Sequence, residues 1–104
     1  MLSHGECDQI RSEISRIKSQ IVEIDSQIGQ VHSEIDQLRD EIGDENEARR
    51  IWGSNRAFDL NTSRDIKRLQ WKLDELCGRK DGLLAEKACL YERKKSLYRK
   101  LEEC

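Results

Sequence analysis

Residues 14–42 read ISRIKSQIVEIDSQIGQVHSEIDQLRDEI, with an aliphatic side chain at every third or fourth step. The row begins one turn earlier, at Ile10, and runs through Ile14, Ile17, Ile21, Ile24, Ile28, Val31, Ile35, Leu38 and Ile42. Alternating steps of four and three hold one stripe on one side of a slightly underwound helix, which is what a coiled-coil seam demands. A helix built this way needs a second helix to cover its stripe. Isoleucine fills Ile14, Ile21, Ile28, Ile35 and Ile42 at the a positions and Ile10, Ile17 and Ile24 at d. Ile at both positions disfavours a two-stranded parallel coil and leans toward three or four strands. Ser12, Ser19, Ser26 and Ser33 repeat on the opposite, solvated side.

Outward from this stretch, composition allows little else. The chain has 104 residues, 38% of them charged and 36% hydrophobic, so it is read as one domain, residues 1–104, whose core is a seam. Proline is absent and aromatics make up 5%, a balance that favours long helices over strands. No run of apolar residues is long enough to span a membrane, and Met1–Cys7 has neither the basic start nor the apolar run of a signal peptide. The expectation is a soluble, cytoplasmic protein with no membrane partner.

Charge divides the chain in two. Residues 1–48 carry 4 Lys/Arg and 12 Asp/Glu, a charge of −8, while residues 49–104 carry 15 and 9, a charge of +6. Halves of opposite sign favour a hairpin folded on itself or a staggered pair of chains over an in-register parallel dimer. Past Ile42 the repeat fails at Gly43, Asp44, Glu45, Asn46 and Glu47, and Gly53, Ser54 and Asn55 give a turn signal. Ser3 with Glu6, or Asp8, is suited to capping the first helix, and Thr62 with Asp65, or Ser63, the second. The expected layout is helix one over about 6–52, a turn and short connector over about 53–62, and helix two over about 63–102.

Helix two is patterned differently. Ile66, Leu69, Leu73, Leu76, Leu83, Leu90, Leu97 and Leu101 form one stripe, and Cys77, Leu84, Tyr91 and Tyr98 form another beside it. Lys80, Lys87 and Lys94 recur every seven residues within this face, so two registers compete; a lysine can lay its stem along a seam and lift its ammonium out. The fold class that follows is all-α, a long antiparallel helical hairpin. One hairpin alone is expected to leave part of its apolar rows uncovered, so either two pair into a homodimeric four-helix arrangement through Ile14, Ile17, Ile21, Ile24, Ile28, Val31, Ile35 and Leu38, the main expectation, or one docks onto a larger protein.

Reactive residues are few. Cys7 and Cys104 would meet at the open end of such a hairpin and Cys77 and Cys89 share helix two; free thiols in a reducing cytosol are the expectation, a Cys7–Cys104 bond the alternative. His4 and Cys7 with Cys104 lack the paired spacing of zinc modules. Neither His4 nor His32 lies near a recognisable nucleophile, and Gly78 and Gly82 match no phosphate-cradling loop. The chain is therefore read as non-enzymatic, without cofactor or metal.

Two surfaces remain for binding. The tip gathers Arg49, Arg50, Trp52, Arg56 and Phe58, with Ile51 and Leu60 beside them, and Trp and Arg are enriched in binding hot spots. Trp52 and Phe58 are equally suited to plugging the end of the hairpin. Helix two offers Lys80, Leu84, Lys87, Tyr91, Lys94 and Tyr98, with Lys95, Arg99 and Lys100, a pattern able to follow a phosphate backbone or an acidic protein groove. The acidic first helix supplies competing counter-charge from within the chain, through Glu13, Glu34 and Glu41. The functional expectation is a protein–protein interaction module, an adaptor or a stoichiometric inhibitor of a larger assembly, whose partner protein the residues do not name. The alternatives are a nucleic-acid-associated protein and a structural spacer or assembly chaperone.

Overall fold

The computed structural model describes residues 2–52 and 54–104; Gly53, placed in the expected turn, lies outside them. The described residues form two helices, α1 (His4–Trp52) and α2 (Arg56–Leu101). The chain groups into two compact units, one made of Met1–Gly29 with Gly82–Cys104 and the other of Gln30–Asp81. Each is an antiparallel pair of helix segments. In the first unit Cys7 meets Cys104, Glu13 meets Arg93 and Asp25 meets Lys87; in the second His32 meets Lys80 and Arg49 meets Asp59. The fold is an antiparallel helical hairpin.

Capping explains where the helices start. The Ser3 hydroxyl accepts from the Glu6 backbone N–H at 3.2 Å, satisfying one of the free donors of the first turn. The second helix begins at Arg56, seven residues before the expected position, because Asn55 caps it: its side-chain oxygen accepts from the Phe58 N–H at 3.1 Å. The connector expected over residues 53–62 is thus mostly helix, and Thr62 is no cap. The earlier start gains burial, since it carries Phe58, half-buried, and Thr62, fully buried, onto the same face as Ile66 and Leu69. Arg49 Nε donates to Asp59 Oδ1 at 2.7 Å across the turn.

The isoleucine row is covered within its own chain. In the first unit Ile14, Ile17, Ile21 and Ile24 are buried, Ile28 is half-buried, and Ile14, Ile17 and Ile21 pack with Leu97, flanked by Ile10, Leu90 and Leu101. In the second unit Val31 and Ile35 are buried and Leu38 and Ile42 half-buried, and Ile66 and Leu69 are buried on α2. Ile28, Leu38 and Ile42 stay only half-buried, and on α2 Lys80, Lys87 and Lys94 are half-buried in the core row.

Burial also decides the register of α2. Thr62, Leu69, Leu76, Leu83, Leu90 and Leu97 make one core row, and Ile66, Leu73, Lys80, Lys87, Lys94 and Leu101 the other, every member buried or half-buried. Leu84, Tyr91 and Tyr98, of the second stripe, stay exposed.

Candidate interaction surfaces

The tip belongs to the second unit. Trp52 closes α1 with its side chain 63% exposed, beside Ile51 at 59%, and Leu60 on α2 is 55% exposed. Trp52 does not plug the hairpin; Phe58 is the aromatic that turns inward. The arginines divide by their contacts. Arg49 is committed to Asp59 and Arg50 to Glu47 at 2.7 Å, whereas Arg56, at the first position of α2, is exposed and in no ion pair among the described residues.

The basic row of α2 is largely engaged at home. In the first unit Lys87 Nζ lies 2.5 Å from Asp25 Oδ1, and this hydrogen bond, helped by the carboxylate charge against partial desolvation, raises the Lys87 pKa above its ordinary value of 10.5. Lys94 Nζ sits 4.8 Å from the centre of the Tyr91 ring and Lys87 Nζ 5.7 Å from it, while Lys18 of α1 covers Tyr98 at 5.7 Å. Arg93 pairs with Glu13. In the second unit Lys80 Nζ lies 3.3 Å from His32 Nδ1, and His32 Nε2 lies 3.5 Å from Asp36 Oδ2. One tautomer suits both contacts, with the proton on Nε2 aimed at Asp36 and the Nδ1 lone pair accepting from Lys80. The counter-charges are Asp25 and Glu13 rather than Glu34 or Glu41.

Cys7 and Cys104 are joined as a disulfide, their Cα atoms 6.2 Å apart, which overturns the expectation of free thiols at these two positions. The antiparallel register accounts for it, because it brings residues 97 apart in sequence to the same end of the first unit. Bonded to each other, these sulfurs cannot act as thiolate ligands, and His4 lies against Asp8 at 3.5 Å. Cys77, half-buried, and Cys89, exposed, are free.

Open grooves lie along the helix pairs. One of about 650 Å³ in the first unit runs past Glu6, Gln9, Ile10, Glu13, Arg16 and Leu97. In the second unit one of about 300 Å³ sets Glu34, Glu41, Glu75 and Lys72 over Leu38 and Leu76. Another, about 250 Å³ and again in the first unit, is floored by Ile24 and Leu90. None of these grooves is lined by histidine or cysteine. Among the described residues no group of three or more His, Cys, Asp or Glu is placed to hold a metal ion, and no helix is long and apolar enough to cross a membrane.

Two exposed apolar residues escaped the reading of the sequence. Val22, 69% exposed, and Trp71, 65% exposed, both stand off the seam. The signal was available, since a large apolar residue at an outer heptad position has no seam to explain it. Compared with family models, with curated proteins and with solved structures, the chain matches none.

Proposed function

We propose that this chain is a non-catalytic protein–protein interaction module that acts as an adaptor or stoichiometric inhibitor of a larger assembly, making its first contact through the hairpin tip. The observation that supports this is the exposure of Trp52, together with Ile51 and Leu60, beside Arg56, which is in no ion pair among the described residues. A tryptophan in water at a turn brings apolar area and a polar N–H to a partner's pocket at low cost in side-chain entropy, and arginine beside it adds directional donors. The interior of the fold has no call on that side chain, because Phe58 already fills the inner position. The Cys7–Cys104 bond favours an oxidising compartment over the reducing cytosol as the place where the module works.

The test compares capture by the oxidised chain with capture by Trp52→Ala/Leu60→Ala, with and without nuclease, the stoichiometry of each complex read by native mass spectrometry. A one-to-one protein complex that survives nuclease and is lost with the double variant supports the reading. Equal capture by the double variant removes the tip from it, and capture that disappears with nuclease moves the chain to the nucleic-acid class.

A further inference from the structure

The first unit has a second surface, away from the tip, that neither the seam nor the tip accounts for. On α2 the residues Leu84, Ala88, Tyr91, Lys95 and Tyr98 repeat at steps of four and three, and all five are exposed, Leu84 and Tyr91 at 44% and Tyr98 at 39%. This is a second heptad stripe beside the first, with no helix of its own chain laid along it. On α1 the adjoining side carries Lys18, Val22 and Asp25, successive neighbours at steps of four and three. The contacts of Lys18 with the Tyr98 ring and of Asp25 with Lys87 put those residues on the same side of the helix pair as the tyrosines.

The charge on this side is net positive. Asp25 is consumed by Lys87, while Lys18, Lys94 and Lys95 are in no ion pair among the described residues, and with Arg99 they outnumber Glu92 and Glu102 on the far edge of the stripe. An aliphatic and aromatic stripe is thus bordered by an excess of cations.

We infer that this side is a docking surface for an acidic amphipathic helix of a partner protein, one that lays apolar residues at heptad spacing along Leu84, Tyr91 and Tyr98 and sets carboxylates against Lys18, Lys94 and Lys95. From Leu84 to Tyr98 the stripe is about 21 Å long, which matches four turns of such a helix. A second copy of the chain is a poorer occupant, because two surfaces of net positive charge would face each other. Single-stranded nucleic acid is also disfavoured. Base stacking needs an open ring face, but Lys94 and Lys87 lie over Tyr91 and Lys18 over Tyr98, and rings seven residues apart stand about 10 Å from each other, far wider than stacked bases. The surface is independent of the tip and gives an adaptor its second contact.

The experiment uses the oxidised full-length chain and a fluorescent, side-chain-stapled helical peptide of about 20 residues with leucine at heptad spacing and glutamate on both flanks. A matched peptide with lysine on both flanks and an oligothymidylate of about 20 nucleotides are the comparison probes. Fluorescence anisotropy should show binding of the glutamate peptide that weakens between about 50 and 300 mM salt, with the lysine peptide at least tenfold weaker. Tyr91→Ser and Lys18→Glu/Lys95→Glu should each weaken the glutamate peptide about tenfold or more. These side chains stand outside the seam, and a circular dichroism melt unchanged from the parent chain confirms that the variants fold. Tyr91→Phe should bind as the parent does, and so should Trp52→Ala, which separates this surface from the tip. Equal binding of the two peptides, no binding of either, or preferential binding of the oligothymidylate overturns the inference.

Discussion

Reduction of the Cys7–Cys104 bond is the perturbation whose size follows most directly from the fold. The bond links residues 97 apart, so in the unfolded chain it closes nearly the whole sequence into a loop. The chain-entropy model assigns a loop of about 100 residues roughly 4.7 kcal/mol of stabilisation at room temperature. At about 2.1 cal/mol/K of unfolding entropy per residue, that loss should lower Tm by about 20 °C. The assay is a thermal melt followed by helical circular dichroism, oxidised chain against chain kept reduced, with Cys7→Ala/Cys104→Ala as a reagent-free check. Titration of accessible thiols under denaturing conditions should give two per oxidised chain, Cys77 and Cys89, and four after reduction. A reduced chain that melts within a few degrees of the oxidised one, or an oxidised preparation with four reactive thiols, would refute the reasoning.

Three further outcomes follow from the packing. Ile17→Ala, at a position 2% exposed in the first unit, should cost about 2–4 kcal/mol in urea denaturation, while Val22→Ala, on an exposed residue of the same helix, should stay within about 0.5 kcal/mol. Asn55→Ala removes the acceptor for the Phe58 N–H and should cost about 1 kcal/mol by the same measurement, whereas Thr62→Asn, were residue 62 the cap, would be harmless rather than disruptive. Lys87 has a folded pKa above its unfolded value of 10.5, so its pairing with Asp25 contributes stability that is complete below pH 10.5 and fades as pH climbs through the raised value. The Tm advantage of the parent chain over Asp25→Asn should therefore be present at neutral pH and vanish above that range; an advantage that persists there would contradict the assignment.

The first helix was legible in the sequence almost residue by residue, because ten aliphatic residues in unbroken heptads admit one helical face and no other. The antiparallel pairing was legible in the charge division. The start of α2 was not. Asn55, Thr62 and Ser63 are all competent caps, and what separates them is burial of Phe58 and Thr62 against residues far away in sequence. Thiol state was hidden for a similar reason. Compartment is a weak prior on bonding, while the pairing register, which places Cys7 opposite Cys104, is a geometric fact. Of the candidate binding residues, the exposure of Trp52 and of Leu84, Tyr91 and Tyr98 could not be assigned beforehand, since each lay on a row equally suited to burial.

That ambiguity turned on Lys80, Lys87 and Lys94. All three occupy core positions of α2 facing a row of isoleucines, where leucine would bury more apolar surface, and each is half-buried instead. Each ammonium leaves the seam toward a group placed to receive it: Lys80 toward His32, Lys87 toward Asp25, Lys94 over Tyr91. Polar residues at a positions cost stability and select register and strand number, because the alternatives leave their charge facing apolar neighbours. An Ile-rich first helix leans toward three or four strands, and a charged row at core positions is expected to favour fewer. Replacing all three lysines by leucine should therefore raise Tm and, in the same preparation, shift the mass at sedimentation equilibrium from one chain toward dimers or larger species. A variant that melts lower than the parent, or that gains stability while remaining monomeric where the parent is monomeric, would show that the lysines do something other than limit assembly.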